Sequence, residues 1–187
     1  MSSVSRKLAI VGARAVGKSS LTLRFTESRF DDSYYPTIEN QYMKSFKVNG
    51  KVYDVDISDT AGQDEYSIVN QRQLIGIHGF LLVYSIASRS SFEVLSTIRD
   101  KILNILSFGE DTKVPFVVVA NKTDLGSGVR QVSKEEGLAL AREFNCPFIE
   151  VSAKDNTNVD RAFEILLQHI EELTNPQEKK EAGCVIV

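Results

Sequence analysis

At 187 residues, 42% of them hydrophobic and 25% charged, the chain has the size and composition of one globular domain with a sizeable core. Its 22 Lys and Arg against 25 Asp and Glu leave a formal net charge of −3, which argues against broad, non-specific binding of nucleic acid. With only Cys146 and Cys184, no apolar run near the ~18 residues of a membrane span and a polar start without a secretory signal, we expect a cytosolic protein with neither a disulfide framework nor a cysteine metal site.

The first strand is expected over 7–11, a short apolar, β-branched run. It is followed by Gly12-Ala13-Arg14-Ala15-Val16-Gly17-Lys18-Ser19, and residues 21–25 carry helical spacing, so the glycines stand where a strand turns into a helix. That is the setting of a phosphate-binding loop. Backbone N–H groups from this loop through Ser20 would cradle phosphate oxygens, Lys18 would reach the β- and γ-phosphates, and the Ser19 hydroxyl would ligate Mg²⁺. Gly12 and Gly17 are expected because a Cβ would obstruct the tight turn and the approach of backbone to phosphate.

Asn49-Gly50 between 42–48 and 51–57 predicts a β-hairpin, hence one antiparallel edge strand. Asp59-Thr60-Ala61-Gly62-Gln63 follows: Asp59 at a strand end could hold Mg²⁺ directly or through water, Gly62 N–H could meet a γ-phosphate, and Gln63 could orient an attacking water. Runs at 80–86 and 115–120 lack polar alternation, as strands buried on both faces of a parallel sheet do. Between them Leu95, Ile98, Ile102, Ile105 and Leu106 form one helical stripe.

Asn121-Lys122-Thr123-Asp124 comes directly after the second of these strands. Asp124 can accept from N1–H and the 2-amino group of guanine, where adenine offers an unprotonated N1. Asn121 can reach the purine edge or tie its loop to the phosphate loop, and the Lys122 stem can cover the base. Ser133 and Glu136 predict a capping box for a helix running to Phe144. A last strand at 147–151 leads to Ser152-Ala153-Lys154, with Ala153 N–H set for guanine O6 and Lys154 as a second stem. Thr157 or Asn158 is expected to cap a final helix with the stripe Val159, Ala162, Phe163, Leu166, Ile170 and Leu173. The alternation predicts a doubly wound α/β domain over 1–174, a mostly parallel six-stranded sheet with helices on both faces and ligands at the carboxyl ends of the strands. Residues 175–187 read as a flexible tail, and His78, His169 and Cys146 as packing residues rather than catalytic ones.

The order GxxxxGKS, a threonine, DTAGQ, NKxD and SAK resembles that of small GTPases of the Ras superfamily, over 6–174 and again at the last four residues. The resemblance implies a P-loop NTPase G domain, most simply monomeric, with GTP/GDP and Mg²⁺ as ligands. It places Phe30 against guanine, Tyr34 and Pro36 along the nucleotide, and Thr37 on Mg²⁺ only in the GTP state. Lys18, Thr37, Gly62 and Gln63 would serve hydrolysis, with Arg14 as a modulator, and Tyr34, Tyr35, Pro36, Thr37, Ile38, Glu39 and Asn40 would form the effector region. Asp32-Ser33-Tyr34, Pro36-Thr37-Ile38-Glu39-Asn40 and Gln63-Asp64-Glu65-Tyr66-Ser67-Ile68 follow the Rheb branch, and Ser91-Phe92-Glu93-Val94 is compatible with it.

Arg14 stands where Ras has glycine and Rheb-like proteins have arginine. It could crowd an incoming arginine finger or the positioning of Gln63, or it could simply point into solvent. The branch implies slow intrinsic hydrolysis, an asparagine-type, tuberin-like GAP, an exchange factor and a TOR-type kinase complex as effector. Tyr35 departs from Rheb's usual aspartate, which keeps a Ras- or Rap-like GTPase with another effector as the alternative. Cys184-Val185-Ile186-Val187 is a CaaX pattern, so prenylation at Cys184 and reversible attachment to the cytoplasmic face of endomembranes, lysosome- or vacuole-like, are expected beside a cytosolic pool.

Overall fold

Asn49 and Gly50 both have positive φ, 49° and 81°, as the two central residues of a type I′ turn require. They join β2 (Glu39–Val48) to β3 (Lys51–Thr60) in antiparallel register, with Val48 opposite Lys51 and Glu39 opposite Thr60. The structure is a computed structural model that describes residues 3–33, 36–62, 74–106 and 113–175. Its other strands are β1 (Val4–Gly12), β4 (Gly79–Ser85), β5 (Phe116–Asn121) and β6 (Phe148–Glu150). Together they make one six-stranded sheet in the order β2-β3-β1-β4-β5-β6, parallel except for β2.

Both faces of the sheet are covered. Leu8, Ile10, Leu81, Val83, Val117 and Val119 pack on one side with Phe25 of α1 (Lys18–Glu27) and Phe163, Leu166 and Ile170 of α4 (Val159–Thr174). Ala9, Val11, Leu82, Tyr84, Val118 and Ala120 pack on the other with Leu95, Ile98 and Ile102 of α2 (Arg89–Leu106) and Ala141 of α3 (Lys134–Glu143). Alternate residues of one strand thus enter different cores, which is why these strands are apolar throughout. Phe25 stacks on Phe163 with ring centroids 3.8 Å apart and joins α1 to α4.

Helix boundaries follow local chemistry where it is strong. The capping box of α3 is present: Glu136 N–H donates to Ser133 Oγ at 3.2 Å, and Ser133 N–H to Glu136 Oε2 at 2.8 Å. The start of α4 differs from expectation. Asn158 occupies the cap position with φ 56° and makes no side-chain cap; its amide donates instead to the Glu150 carbonyl at 3.0 Å. Thr157 pairs with Ser152 through two backbone hydrogen bonds of 2.9 and 3.0 Å, so it does not cap either. In the helical stripes, Ile105, Leu106 and Leu173 are only partly covered, while Leu167, absent from the expected stripe, is buried.

Strand β3 continues past its apolar part through Ser58, Asp59 and Thr60. Ile10 pairs with Asp59 on one side and Glu39 with Thr60 on the other, so ladder bonds carry the strand through polar residues. His78 is structural, its Nδ1 accepting from Lys7 N–H at 2.9 Å, and His169 lies 4.0 Å from Glu172 on α4. Burial pushes the Cys146 thiol up to about 11, which removes its thiolate at neutral pH. Among the described residues no helix is long and apolar enough to cross a membrane.

Candidate functional site

The loops leaving β1, β3, β5 and β6 open at the carboxyl ends of these strands, around a cavity of about 340 Å³. Arg14, Ala15, Gly17, Lys18, Ser19, Ser20, Phe30, Thr37, Gly62, Asn121, Lys122, Asp124, Ala153 and Lys154 line it. Thr60, Leu125 and the turn Asp31-Asp32-Ser33 line it as well, none of which the motifs single out as ligands. Four expected nucleotide contacts are not part of the wall. Val16 is buried in the core, Gly12 ends β1, Ser152 stands behind Asp124, and Pro36 is exposed. Tyr34, Tyr35, Gln63 and Cys184 lie outside the described residues.

Lys18 opens α1 and is buried, its Nζ donating to the Gly12 carbonyl at 3.1 Å and the Ala13 carbonyl at 2.9 Å. Burial lowers its pKa to about 8, with the Asp59 charge acting in the opposite direction. The helix starts without a side-chain cap, and its positive end can meet an anion. The left-handed φ of Gly17, 96°, agrees with the expected tight turn, and close packing adds a second reason for both glycines. A Cβ on Gly12 would come within 2.1 Å of the Val83 carbonyl oxygen, and one on Gly17, where φ is 96°, within 2.3 Å of Asn121 Nδ2. The loop is thus held against β4 and the Asn121 side chain.

Ser19 Oγ and Thr37 Oγ1 lie 2.7 Å apart and bring the start of α1 to the segment that leads into β2. Beside them Asp59 is fully buried, and neither of its carboxylate oxygens has a hydrogen-bond partner among the described residues. Burial raises its pKa, while the nearby Ser19 hydroxyl and the Lys18 ammonium act against that rise. Buried carboxylates without partners are rare and usually face an ion or water. Two hydroxyls and one carboxylate form the all-oxygen donor set that Mg²⁺ prefers, so these residues fit that ion.

Of Asn121's two expected roles, the structure contains the tie. Its Nδ2 donates to the Val16 carbonyl at 2.9 Å, and Lys122 Nζ donates to the Ala15 carbonyl at 2.7 Å. Asn121 Oδ1 also accepts from Ala153 N–H, at 3.3 Å, long enough for that donor to be shared with a ligand. Asp124 sits in the short 3₁₀ turn Thr123–Leu125 and is steadied by Ser152, whose Oγ donates to its Oδ1 at 2.7 Å. Asp155 N–H in turn donates to Ser152 Oγ at 3.0 Å. Asp124 therefore keeps a carboxylate aimed at the cavity with acceptor capacity to spare.

The profile of the Ras family matches residues 7–172. The chain belongs to the Ras family. It is 56% identical over 173 residues to the protein named small monomeric GTPase RhbA of Aspergillus fumigatus, covering 92% of this chain and 91% of that one. It is 44% identical over 185 residues to human GTP-binding protein Rheb, covering 99% and 98%, and 43% identical over 187 residues to Ras-like protein rasC of Dictyostelium discoideum, covering 97% of each.

In this Ras-family chain Arg14 is exposed, lines the cavity and lies against Gly62. A Cβ on Gly62 would meet Arg14 Cγ at 2.4 Å and Arg14 Cα at 2.5 Å. The P-loop arginine therefore packs on the residue that precedes Gln63. Farther out, Ile38 is 91% and Met43 78% exposed, so the edge strand and the segment before it present apolar side chains to solvent.

Proposed function

We propose that the chain is a Rheb-like small GTPase: it binds GTP or GDP with Mg²⁺, hydrolyses GTP slowly by itself, and presents its 36–43 face to an effector only in the GTP state. The observation that carries this reading is the meeting of Ser19 and Thr37 hydroxyls in the cavity that Asp124 also lines, beside buried Asp59, whose carboxylate has no hydrogen-bond partner among the described residues. Lys18 and the amino end of α1 would hold the phosphates. Asp124, Ala153 N–H, Phe30 and the stems of Lys122 and Lys154 would hold guanine. Mg²⁺ held by Ser19, Thr37 and, through water, Asp59 would neutralise charge on the phosphate oxygens. Because Thr37 lies two residues before β2, its engagement there would order the effector segment, and hydrolysis would release it. Gln63 would orient the attacking water, with Gly62 N–H donating to the γ-phosphate.

Arg14 would slow turnover by occupying the space beside Gly62. An arginine finger is worth about 10³–10⁵ in rate, so its exclusion selects the kind of GAP. Single-turnover GTP hydrolysis should accelerate with an asparagine-type, tuberin-like GAP domain and not with an arginine-finger Ras-type domain. Acceleration by the arginine finger instead would favour the Ras-like alternative, which the near-equal identities to Rheb and rasC keep in play. In Arg14→Gly, stimulation by the arginine-finger domain should rise by about tenfold or more. Unchanged intrinsic and stimulated rates would remove the crowding role.

Downstream, a TOR-type kinase complex as effector and an exchange factor as activator follow from the resemblance of the 32–40 and 63–68 segments to the Rheb branch. Prenylation at Cys184, with carboxyl methylation, would hold the protein reversibly at endomembranes, because one lipid chain without a polybasic partner anchors only marginally. Cys184→Ser should move the protein wholly into the soluble fraction. Persistent membrane association of that variant would refute lipid anchoring at this residue.

A further inference from the structure

Arg24 belongs to no phosphate or base motif, yet its guanidinium touches both sides of the base region. It lies in the last turn of α1 and is half-buried. Nε donates to the Ala153 carbonyl at 2.9 Å, Nη2 to the Lys154 carbonyl at 3.0 Å, and Nη1 to the Ser28 carbonyl at 3.3 Å. Its Cζ stands 5.7 Å from the centre of the Phe30 ring.

The donors of a guanidinium are fixed in one plane, so three carbonyls from two chain segments can all be met only if those peptides are held in register with the fork. Two of the carbonyls belong to consecutive peptides immediately after the Ala153 N–H. The third fixes the left-handed Ser28, φ 55°, from which the chain turns toward Phe30. The cation–π contact then holds the ring itself. Asn121 Oδ1 meets the Ala153 N–H itself, but among the described residues Arg24 alone links that peptide to the Phe30 ring, so a donor for the 6-oxo group and an aromatic face are tied together by one side chain.

We propose that Arg24 is a positioning residue for the guanine base: it aligns the Ala153 N–H and the Phe30 ring, and so governs how long nucleotide stays bound. This rests on the guanine-nucleotide reading above. A staple that merely joined α1 to the loop after β6 would lower stability and leave the choice among bases unchanged.

The test compares GDP with 6-thio-GDP, which keeps N1–H and the 2-amino group and weakens only the acceptor at position 6. In Arg24→Ala, release of fluorescently labelled GDP should quicken by about tenfold, the value of one charge-assisted hydrogen bond. The preference for GDP over 6-thio-GDP should shrink as well. Arg24→Lys keeps the charge at the helix end without the fork, and should behave like Arg24→Ala. An unchanged ratio of the two affinities, or wild-type release from Arg24→Lys, would overturn the proposal. A wild-type protein that binds ADP as well as GDP would overturn the guanine reading itself, before any variant is compared.

Discussion

In Asp124→Asn, GDP affinity is expected to fall by about 10²–10⁴, and xanthosine diphosphate should bind better than GDP. An ionised Asp124 has acceptors only, and one lone pair of Oδ1 is taken by Ser152 Oγ at 2.7 Å. The remaining acceptor capacity suits two donors side by side, N1–H and the 2-amino group of guanine. Two hydrogen bonds to a charged group are worth about 1.5–3 kcal/mol each, which gives the range above. The side-chain amide that this substitution introduces can keep the Ser152 bond through its oxygen but presents its NH₂, a donor, to the 2-position. Guanine places a donor there and xanthine an acceptor, so the mismatch with one base becomes a match with the other. Competition titrations with the two diphosphates check this. Equal loss for both bases would mean that Asp124 supports the loop without reading the base edge.

Much of this site is legible in the sequence because its chemistry is local. Asn49-Gly50 demands a two-residue turn with positive φ at both positions, and Ser133 with Glu136 demands a cap, so the hairpin and the start of α3 follow from neighbours a few residues apart. What is not legible depends on partners distant in the chain. The apolar pattern of the third strand stops at residue 57, but the backbone groups of Ser58, Asp59 and Thr60 complete ladders with β1 and β2 and remain strand. Gly12 is also constrained by Val83 on a different strand, a contact no local motif reveals. Arg24 reads as an ordinary basic residue near a helix end, and only the fold brings it to Ala153 and Lys154, 129 and 130 residues away. Asn158 has the right side chain for a cap, yet its left-handed backbone sends the amide to Glu150 instead.

Removing the charge of Lys18 should separate the needs of binding from those of stability. In Lys18→Met, affinity for GDP and GTP is expected to fall by about 10²–10³, since truncating one member of a buried, hydrogen-bonded charge pair costs about 2–5 kcal/mol. Without nucleotide the same charge is a burden. Lys18 is 6% exposed, and its pKa falls from 10.5 to about 8 as the protein folds. Between those two values the unfolded chain holds a proton that the folded one has released, so folding becomes more favourable as pH rises through the window. The shift corresponds to about 3 kcal/mol once the window has been crossed. Nucleotide-free wild type should therefore gain stability relative to Lys18→Met between pH 8 and pH 10.5, as read from urea unfolding at each pH. The difference between the two proteins cancels the tyrosines that titrate in the same range. A difference that stays flat with pH would show that Lys18 is not held in a buried, cation-disfavouring position before phosphate arrives. With nucleotide bound the gain should vanish, because the phosphates supply the counter-charge that keeps Lys18 protonated in the folded state.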